Sequence, residues 1–354
     1  MTEQKDYRIE LYRFIFAVII MIFHAHNINN GQGHPIPLGH VFVEFFFFLT
    51  GYFTYSSLVK EYKKNNSMNH YPLHYTVKKF KRFIPYIMMT ATVYVAISTF
   101  CNHFIKHLAT QDSLLEFSGL PFDVLLLQVT GICKNSSFNA WWYLSAILFT
   151  LPIVIVLFYK KICSGGGVAA YIIYFVPILI YGAFSVEVNG LDWDREVLGI
   201  LKSGIFRGFA GLCVGCTIYD LRNKLVYLIS TVFQRVVLTI IEVASYLVSI
   251  LIAWKWSAVE NSTFLIVLLL VFGLVITLSS KSYTTILNKK IFAYMGSISL
   301  PLYICHYSIG RLIGNYFMDD NINTRYLLYY ISSFTFAICM IAVNKIIVSK
   351  GVTK

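Results

Sequence analysis

The chain has 354 residues, of which 57% are hydrophobic and only 13% charged, and its formal net charge at pH 7 is +12. A soluble domain carries about 25% charged and about 45–50% apolar residues, so a soluble globular fold is excluded and lipid is the natural solvent. The basic residues are scattered over many short segments, which argues against a nucleic-acid-binding face.

A spanning helix needs about 20 mostly apolar residues. In chain order the sequence predicts ten, over residues 9–27, 40–59, 83–104, 141–159, 168–186, 204–219, 236–256, 263–279, 298–317 and 326–348. The first is too long for a signal peptide, carries Arg13 and His24, and has no small-residue cleavage site after it, so it reads as a retained span. Residues 120–133 are apolar but short, and are expected to lie at the surface or to re-enter. The sixth span is interrupted by Arg207 and by Gly204, Gly208, Gly211 and Gly215. Their near-helical spacing reads as close helix packing. Cys213 and Cys216 form a C-x-x-C inside this apolar span, where small interfacial residues are a better account than a redox pair.

With the N-terminus inside, twenty Lys and Arg residues fall on inner segments and six on outer ones. Short cytoplasmic loops are enriched in Lys and Arg. The expected fold class is therefore all-α: a polytopic bundle of about ten spans, with both termini cytoplasmic. Neither of the longest non-spanning segments, 60–81 and 105–140, could bury a core of its own. Residues 1–354 are thus expected to form one transmembrane domain, with no soluble C-terminal domain.

Ionisable residues inside a bilayer are costly and become functional candidates. Arg13 and His24 are eleven residues apart in the first span. That separation is about 16 Å of rise and leaves a net rotation of about 20°, so both side chains point the same way. Glu44 is expected at the depth of His24, where a carboxylate would orient the imidazole and support its cationic form. An interfacial Glu reaching water is the plainer alternative. Lys78, Lys79, Lys81 and Arg82 precede Pro85; they suit either a positive-inside anchor or a phosphate-binding cluster. Trp141, Trp142 and Tyr143 open the fourth span, as an aromatic belt or as a platform for sugar rings. Within the ninth span, His306 follows Tyr303, and Arg311 is placed to meet an anionic acceptor group. His26, His34 and His40 flank the first outer loop, but His24 and His26 point apart on a helix, so a shared metal is not expected. Dinucleotide, Walker, G-x-S-x-G and H-E-x-x-H motifs are absent.

Five segments in order resemble the acyltransferase 3 family of membrane acyltransferases. Arg8-Ile9-Glu10-Leu11-Tyr12-Arg13-Phe14 through Phe23-His24 looks like its opening segment, with an Arg and a His eleven positions later. Val43-Glu44-Phe45-Phe46-Phe47-Phe48-Leu49-Thr50-Gly51-Tyr52 is similar to its second-helix pattern, with Thr50 in place of the usual Ser. Lys79-Phe80-Lys81-Arg82-Phe83-Ile84-Pro85 resembles its Arg-x-x-Arg segment, with Lys79 in place of the first Arg. Trp141-Trp142-Tyr143-Leu144 and Ser297-Ile298-Ser299-Leu300-Pro301-Leu302-Tyr303-Ile304-Cys305-His306 look like its middle and late motifs.

The resemblance implies transfer of an acyl group, usually acetyl from acetyl-coenzyme A, to a hydroxyl of a cell-surface or exported polysaccharide. It implies His24 as the essential histidine with Arg13 as companion, and Lys79 and Arg82 near the coenzyme. Expected partners are a glycan acceptor and membrane lipid, with no nucleic acid and no metal. The expected location is a bacterial plasma membrane. Tyr303, His306 and Arg311, with Trp141, Trp142 and Tyr143, are the expected acceptor-side residues, and Glu44 the expected assistant of His24. Absence of a soluble C-terminal domain would make this the stand-alone form of the family. The competing reading is a transporter or flippase, which also needs interior His, Arg and Glu. The sequence shows no pair of similar halves to favour it.

Overall fold

Long apolar stretches without charge leave a bilayer-exposed backbone one choice, since only a helix satisfies its own N–H and C=O groups. The computed structural model describes residues 6–29, 33–65, 71–107, 117–132, 136–187, 190–197, 199–255, 261–317 and 321–351. Among them it has twelve α-helices and one two-stranded hairpin. The helices are α1 (Arg8–Phe23), α2 (Val43–Asn65), α3 (Tyr71–Lys81), α4 (Ile84–Phe104), α5 (Leu120–Val124), α6 (Trp142–Ser164), α7 (Gly167–Glu187), α8 (Gly204–Leu228), α9 (Val232–Lys255), α10 (Ser262–Ser279), α11 (Phe292–Tyr316) and α12 (Ile322–Gly351). Strands β1 (Glu196–Val197) and β2 (Leu201–Lys202) pair antiparallel beyond α7.

Nine helical stretches among the described residues are long and apolar enough to span, in close agreement with nine of the ten expected from sequence. The seventh expected span ended at Trp256, which lies outside the described residues. The ninth expected span falls on α11, which has 25 residues and so about 37 Å of length, but it is less apolar than the other nine. The reason is its position. It is packed along α1, α4 and α12, so its Ser299, His306 and Ser308 are buried against protein.

Helices α2 and α8 pack tightly against each other. A Cβ added at Gly51 would lie 2.1 Å from the Leu212 carbonyl oxygen, and one at Gly215 2.4 Å from that of Phe48. Glycine at both positions lets the two backbones touch, which is the packing that the spacing in the sixth span predicts. Cys213 and Cys216 of α8 are buried thiols outside any disulfide, and Lys161 of α6 donates to Cys216 Sγ at 3.2 Å. The stretch expected at the surface or re-entrant forms α5 and a 3-10 turn at Gln128–Thr130. Leu126 and Val129 are buried there, and the Val129 N–H donates to Ser145 Oγ of α6 at 3.2 Å.

A buried polar network fixes the start of α1. Arg8 donates to the Thr277 carbonyl at 2.7 Å and to Thr284 Oγ1 at 2.6 Å, and lies 3.8 Å from the Glu242 carboxylate. Thr277 and Thr284 also donate to Glu242, at 2.7 and 2.9 Å. A buried carboxylate needs such partners. The network ties α1 to α9 and to the segment after α10, and so sets the height of everything α1 carries.

Candidate active site

Helix α1 carries no Gly or Pro, so Arg13 and His24 keep the common face expected of them up to its end. At Phe23 the helix tightens into a 3-10 turn over His24–Asn29. His24 turns its Nδ1 toward the Ile20 carbonyl oxygen, 3.0 Å away. Its second neighbour comes from the other end of the chain: His306 Nε2 of α11 lies 3.1 Å from the same Nδ1. His306 Nδ1 donates in turn to the Leu302 carbonyl at 2.9 Å. His306 is fully buried, whereas His24 is only partly so. The Tyr307 ring stands edge-on to His24 at 5.4 Å, and Asn139 Nδ2 donates to the Tyr307 hydroxyl at 3.5 Å.

The other outer histidines gather close by. The rings of His26 and His34 are 4.1 Å apart, and the Phe23 ring stacks on His34 and touches His40. Among the described residues no three His, Cys, Asp or Glu side chains converge as metal ligands. Arg311, one turn beyond Tyr307, is half-buried and donates to the Ser137 carbonyl at 3.2 Å. That carbonyl belongs to a segment held by Asp123, which accepts from Ser136 Oγ at 2.5 Å and from the Ser137 N–H at 2.8 Å. Desolvation holds the Asp123 carboxyl above its usual range even with these donors.

The far end of the α1 face is cationic. Arg13 pairs with Glu10, one turn back, at 2.8 Å. Helix α3 lies across α6 and is amphipathic. Leu73, Val77, Lys78 and Lys81 are exposed, while Tyr75, Thr76, Lys79 and Phe80 face the protein. Of the lysines in the basic cluster, the fold therefore turns Lys79 inward. Burial, together with the charges of Arg13 and Arg82, pushes the Lys79 ammonium down to about 7. Arg13 and Arg82 thus each come within electrostatic reach of Lys79.

Aromatic rings connect the two ends. Arg13 lies within electrostatic reach of Tyr143. Tyr143 meets Tyr303 at 5.5 Å between ring centroids, Tyr303 meets His306 at 5.8 Å, and His306 meets His24 at 5.0 Å.

Several expected roles are corrected by these positions. Glu44 does not face His24. It accepts from Arg207 Nε at 2.8 Å and from the Tyr181 hydroxyl at 2.5 Å, with both charged partners fully buried. Two charges removed from water must find each other, and α8 supplied the nearer partner. Trp141 is neither an exposed sugar platform nor a lipid-facing belt. It is fully buried, and its indole N–H donates to the Ile304 carbonyl at 2.8 Å. Trp142 is buried between the Arg207 guanidinium, 4.6 Å from its centroid, and the stacked ring of Trp193. The Tyr303 hydroxyl donates to the Ala140 carbonyl. These aromatics build the walls around the site. His306 is likewise committed to His24 and not open to an acceptor, and Tyr143 is a buried member of the ring file, with its hydroxyl 3.4 Å from Thr50 Oγ1.

Sequence reading passed over two buried charged residues and the half-buried Tyr307. Glu242 in α9 and Lys161 in α6 lie within spanning helices, and Lys161 pairs with Asp220 at 2.5 Å. The cost of charge in a bilayer would have flagged both. Tyr307 carried no signal beyond its place next to His306.

Fold and site define an integral membrane protein with a histidine pair toward one end of its bundle and a cation cluster toward the other. Residues 6–343, nearly the whole chain, match the family model described as an acyltransferase domain, and the chain belongs to the acyltransferase 3 family. It is an acyltransferase of the membrane. No curated protein and no solved structure matches it.

Proposed function

We propose that this enzyme moves an acetyl or similar short acyl group from acetyl-coenzyme A to a hydroxyl of a cell-surface or exported polysaccharide. The observation that supports this reading most is the layout along α1. A cation cluster at one end is joined by the file Tyr143, Tyr303 and His306 to a partly exposed His24 at the other. Coenzyme A has charged phosphates at one end and a thioester at the other, on a long flexible arm.

The residues fit that shape. Burial first, and then the charges of Arg13 and Arg82, lower the proton affinity of Lys79; bound phosphates would relieve the repulsion between these cations. Arg13, Lys79 and Arg82 are assigned to the phosphates. Lys79 brings charge without the bidentate fork of an arginine. The twenty-to-six split of Lys and Arg assigns this end to the cytoplasm, where the donor is made, and a bacterial plasma membrane suits such a topology.

His24 is the general base. It takes the proton of the acceptor hydroxyl as the hydroxyl oxygen bonds to the thioester carbonyl carbon. As the carbon–sulfur bond breaks, His24 returns that proton to the leaving sulfur, releasing the ester and the free thiol. Arg311, half-buried beside Tyr307, is assigned to the acceptor side.

The test is transfer of labelled acetyl from acetyl-coenzyme A into extracted glycans, in membranes carrying the wild type, His24→Ala or Arg82→Ala at matched expression. Label in wild type, its loss in His24→Ala, and a raised donor KM in Arg82→Ala are expected. Unlabelled glycans together with movement of a glycan across vesicles would replace this reading with transport.

A further inference from the structure

The hydrogen bonds around the two histidines settle more than their proximity. A backbone carbonyl only accepts, so His306 Nδ1, 2.9 Å from the Leu302 oxygen, carries a hydrogen. In the neutral ring its Nε2 is then a bare acceptor. His24 Nδ1 lies 3.1 Å from that Nε2 and 3.0 Å from the Ile20 oxygen. Both neighbours are acceptors, so His24 Nδ1 also carries its hydrogen and shares it between them. The lone pair of His24 is left on Nε2, at the other edge of the ring.

We propose that His306 is a positioning residue for the acyl transfer: through its Nε2 it locks His24 in the Nδ1–H tautomer, leaves His24 Nε2 bare to receive the acceptor proton, and supports the imidazolium that forms. This inference rests on His24 being the base. In hydrolases with a Ser-His-Asp triad a carboxylate performs this orienting task. Here Glu44, the carboxylate expected beside His24, is taken by Arg207 and Tyr181, and a second imidazole stands in its place. When His24 Nε2 gains the proton, the bond from Nδ1 to His306 becomes charge-assisted and shortens, which stabilises the transition state more than the ground state. His306 is buried between α1 and α11 and its Nδ1 is tied to its own helix, so its ring cannot turn away without losing that bond. The titratable groups that face His24 are His306 and Tyr307 from α11, His26 from its own turn and His40 from the segment before α2.

The experiment is a pH profile of kcat and KM for acetyl transfer by purified wild type, His306→Ala, His306→Gln and His24→Gln. The Gln side-chain oxygen can accept from His24 Nδ1 where Nε2 did, without titrating. The expected result is a loss of kcat of about 100-fold or more in His306→Ala, with KM for both substrates within about twofold and the acidic limb of the profile displaced. His306→Gln should recover at least about tenfold of that loss. Nitrogen-15 spectra of histidine-labelled enzyme in lipid should show, among the signals of the nine histidines, an unprotonated Nε2 signal of His24 that vanishes in His24→Gln and persists in His306→Gln. The proposal is overturned if His306→Ala keeps kcat within about threefold, if it raises acceptor KM alone, or if His306→Gln, folded by size-exclusion, is no better than His306→Ala. An active His24→Gln would overturn the base assignment itself, a different outcome from an inactive His24→Gln beside an active His306→Ala.

Discussion

Arg207 Nε donates to Glu44 Oε1 at 2.8 Å, with both side chains wholly removed from solvent where α8 crosses α2. The Arg207 guanidinium also donates to the Leu191 carbonyl at 2.6 Å and lies over Trp142. This pair joins α2, α6 and α8 to the segment before the hairpin. Removing one partner leaves a buried charge without compensation, at a cost of about 3–5 kcal/mol. Arg207→Ala and Glu44→Ala should each lose that much stability, while the double replacement Glu44→Leu with Arg207→Met should lose much less than their sum. Thermal unfolding in detergent measures it. Glu44→Gln that folds but has lost its acidic-limb pH dependence would return Glu44 to a catalytic role.

Under the proposed function, the Lys79 ammonium, pushed down to about 7 by burial and by Arg13 and Arg82, should make coenzyme binding depend on pH. A bound phosphate raises that value. Below about 7 the group is protonated with or without ligand and contributes no slope. Above it, binding must take up a proton, so affinity falls as pH rises, by at most about tenfold per pH unit for one proton. Titration of coenzyme A binding between pH 6 and 9 should show this decline in the wild type, and Lys79→Arg should flatten it. An equal slope in both would remove Lys79 from the phosphate site.

Contact between α2 and α8 depends on hydrogen in place of methyl at Gly51, where a Cβ would meet the Leu212 carbonyl oxygen at 2.1 Å. Gly51→Ala should destabilise the protein by about 1–3 kcal/mol through forced separation of the helices. Gly182 in α7 has open space at its Cβ position. Gly182→Ala should be neutral or stabilise by up to about 1 kcal/mol, since alanine is the better helix former. Melting midpoints of the two variants provide the comparison.

Asp123 holds the segment whose Ser137 carbonyl receives Arg311. Asp123→Ala strands the donors of Ser136 and Ser137, and should loosen that segment by about 1–3 kcal/mol. Faster hydrogen exchange of the Ser137 amide should accompany a raised KM for the acceptor, with donor KM unchanged. A raised donor KM would show that the segment serves the other substrate.

Composition and pattern alone determined that this chain lives in a membrane as a helical bundle, because no other solvent or secondary structure can hide so much apolar surface with so few charges. Nine spans were legible, most of them within about five residues, although the sixth runs on to Leu228, nine residues past its expected end. The common face of Arg13 and His24 was legible too, since helical periodicity acts within one element. Partners across elements were not. His24 meets His306 across 282 residues, and Glu44 meets Arg207 across 163. Periodicity tells which face a side chain occupies, but not which helix is brought against that face or at what height. The structure settled that through Gly51 and Gly215, which press α2 onto α8, and through Glu242 and Arg8, which fix the height of α1. The same packing decided that Trp141 and Trp142 are walls and that Lys79, out of the basic cluster, turns inward.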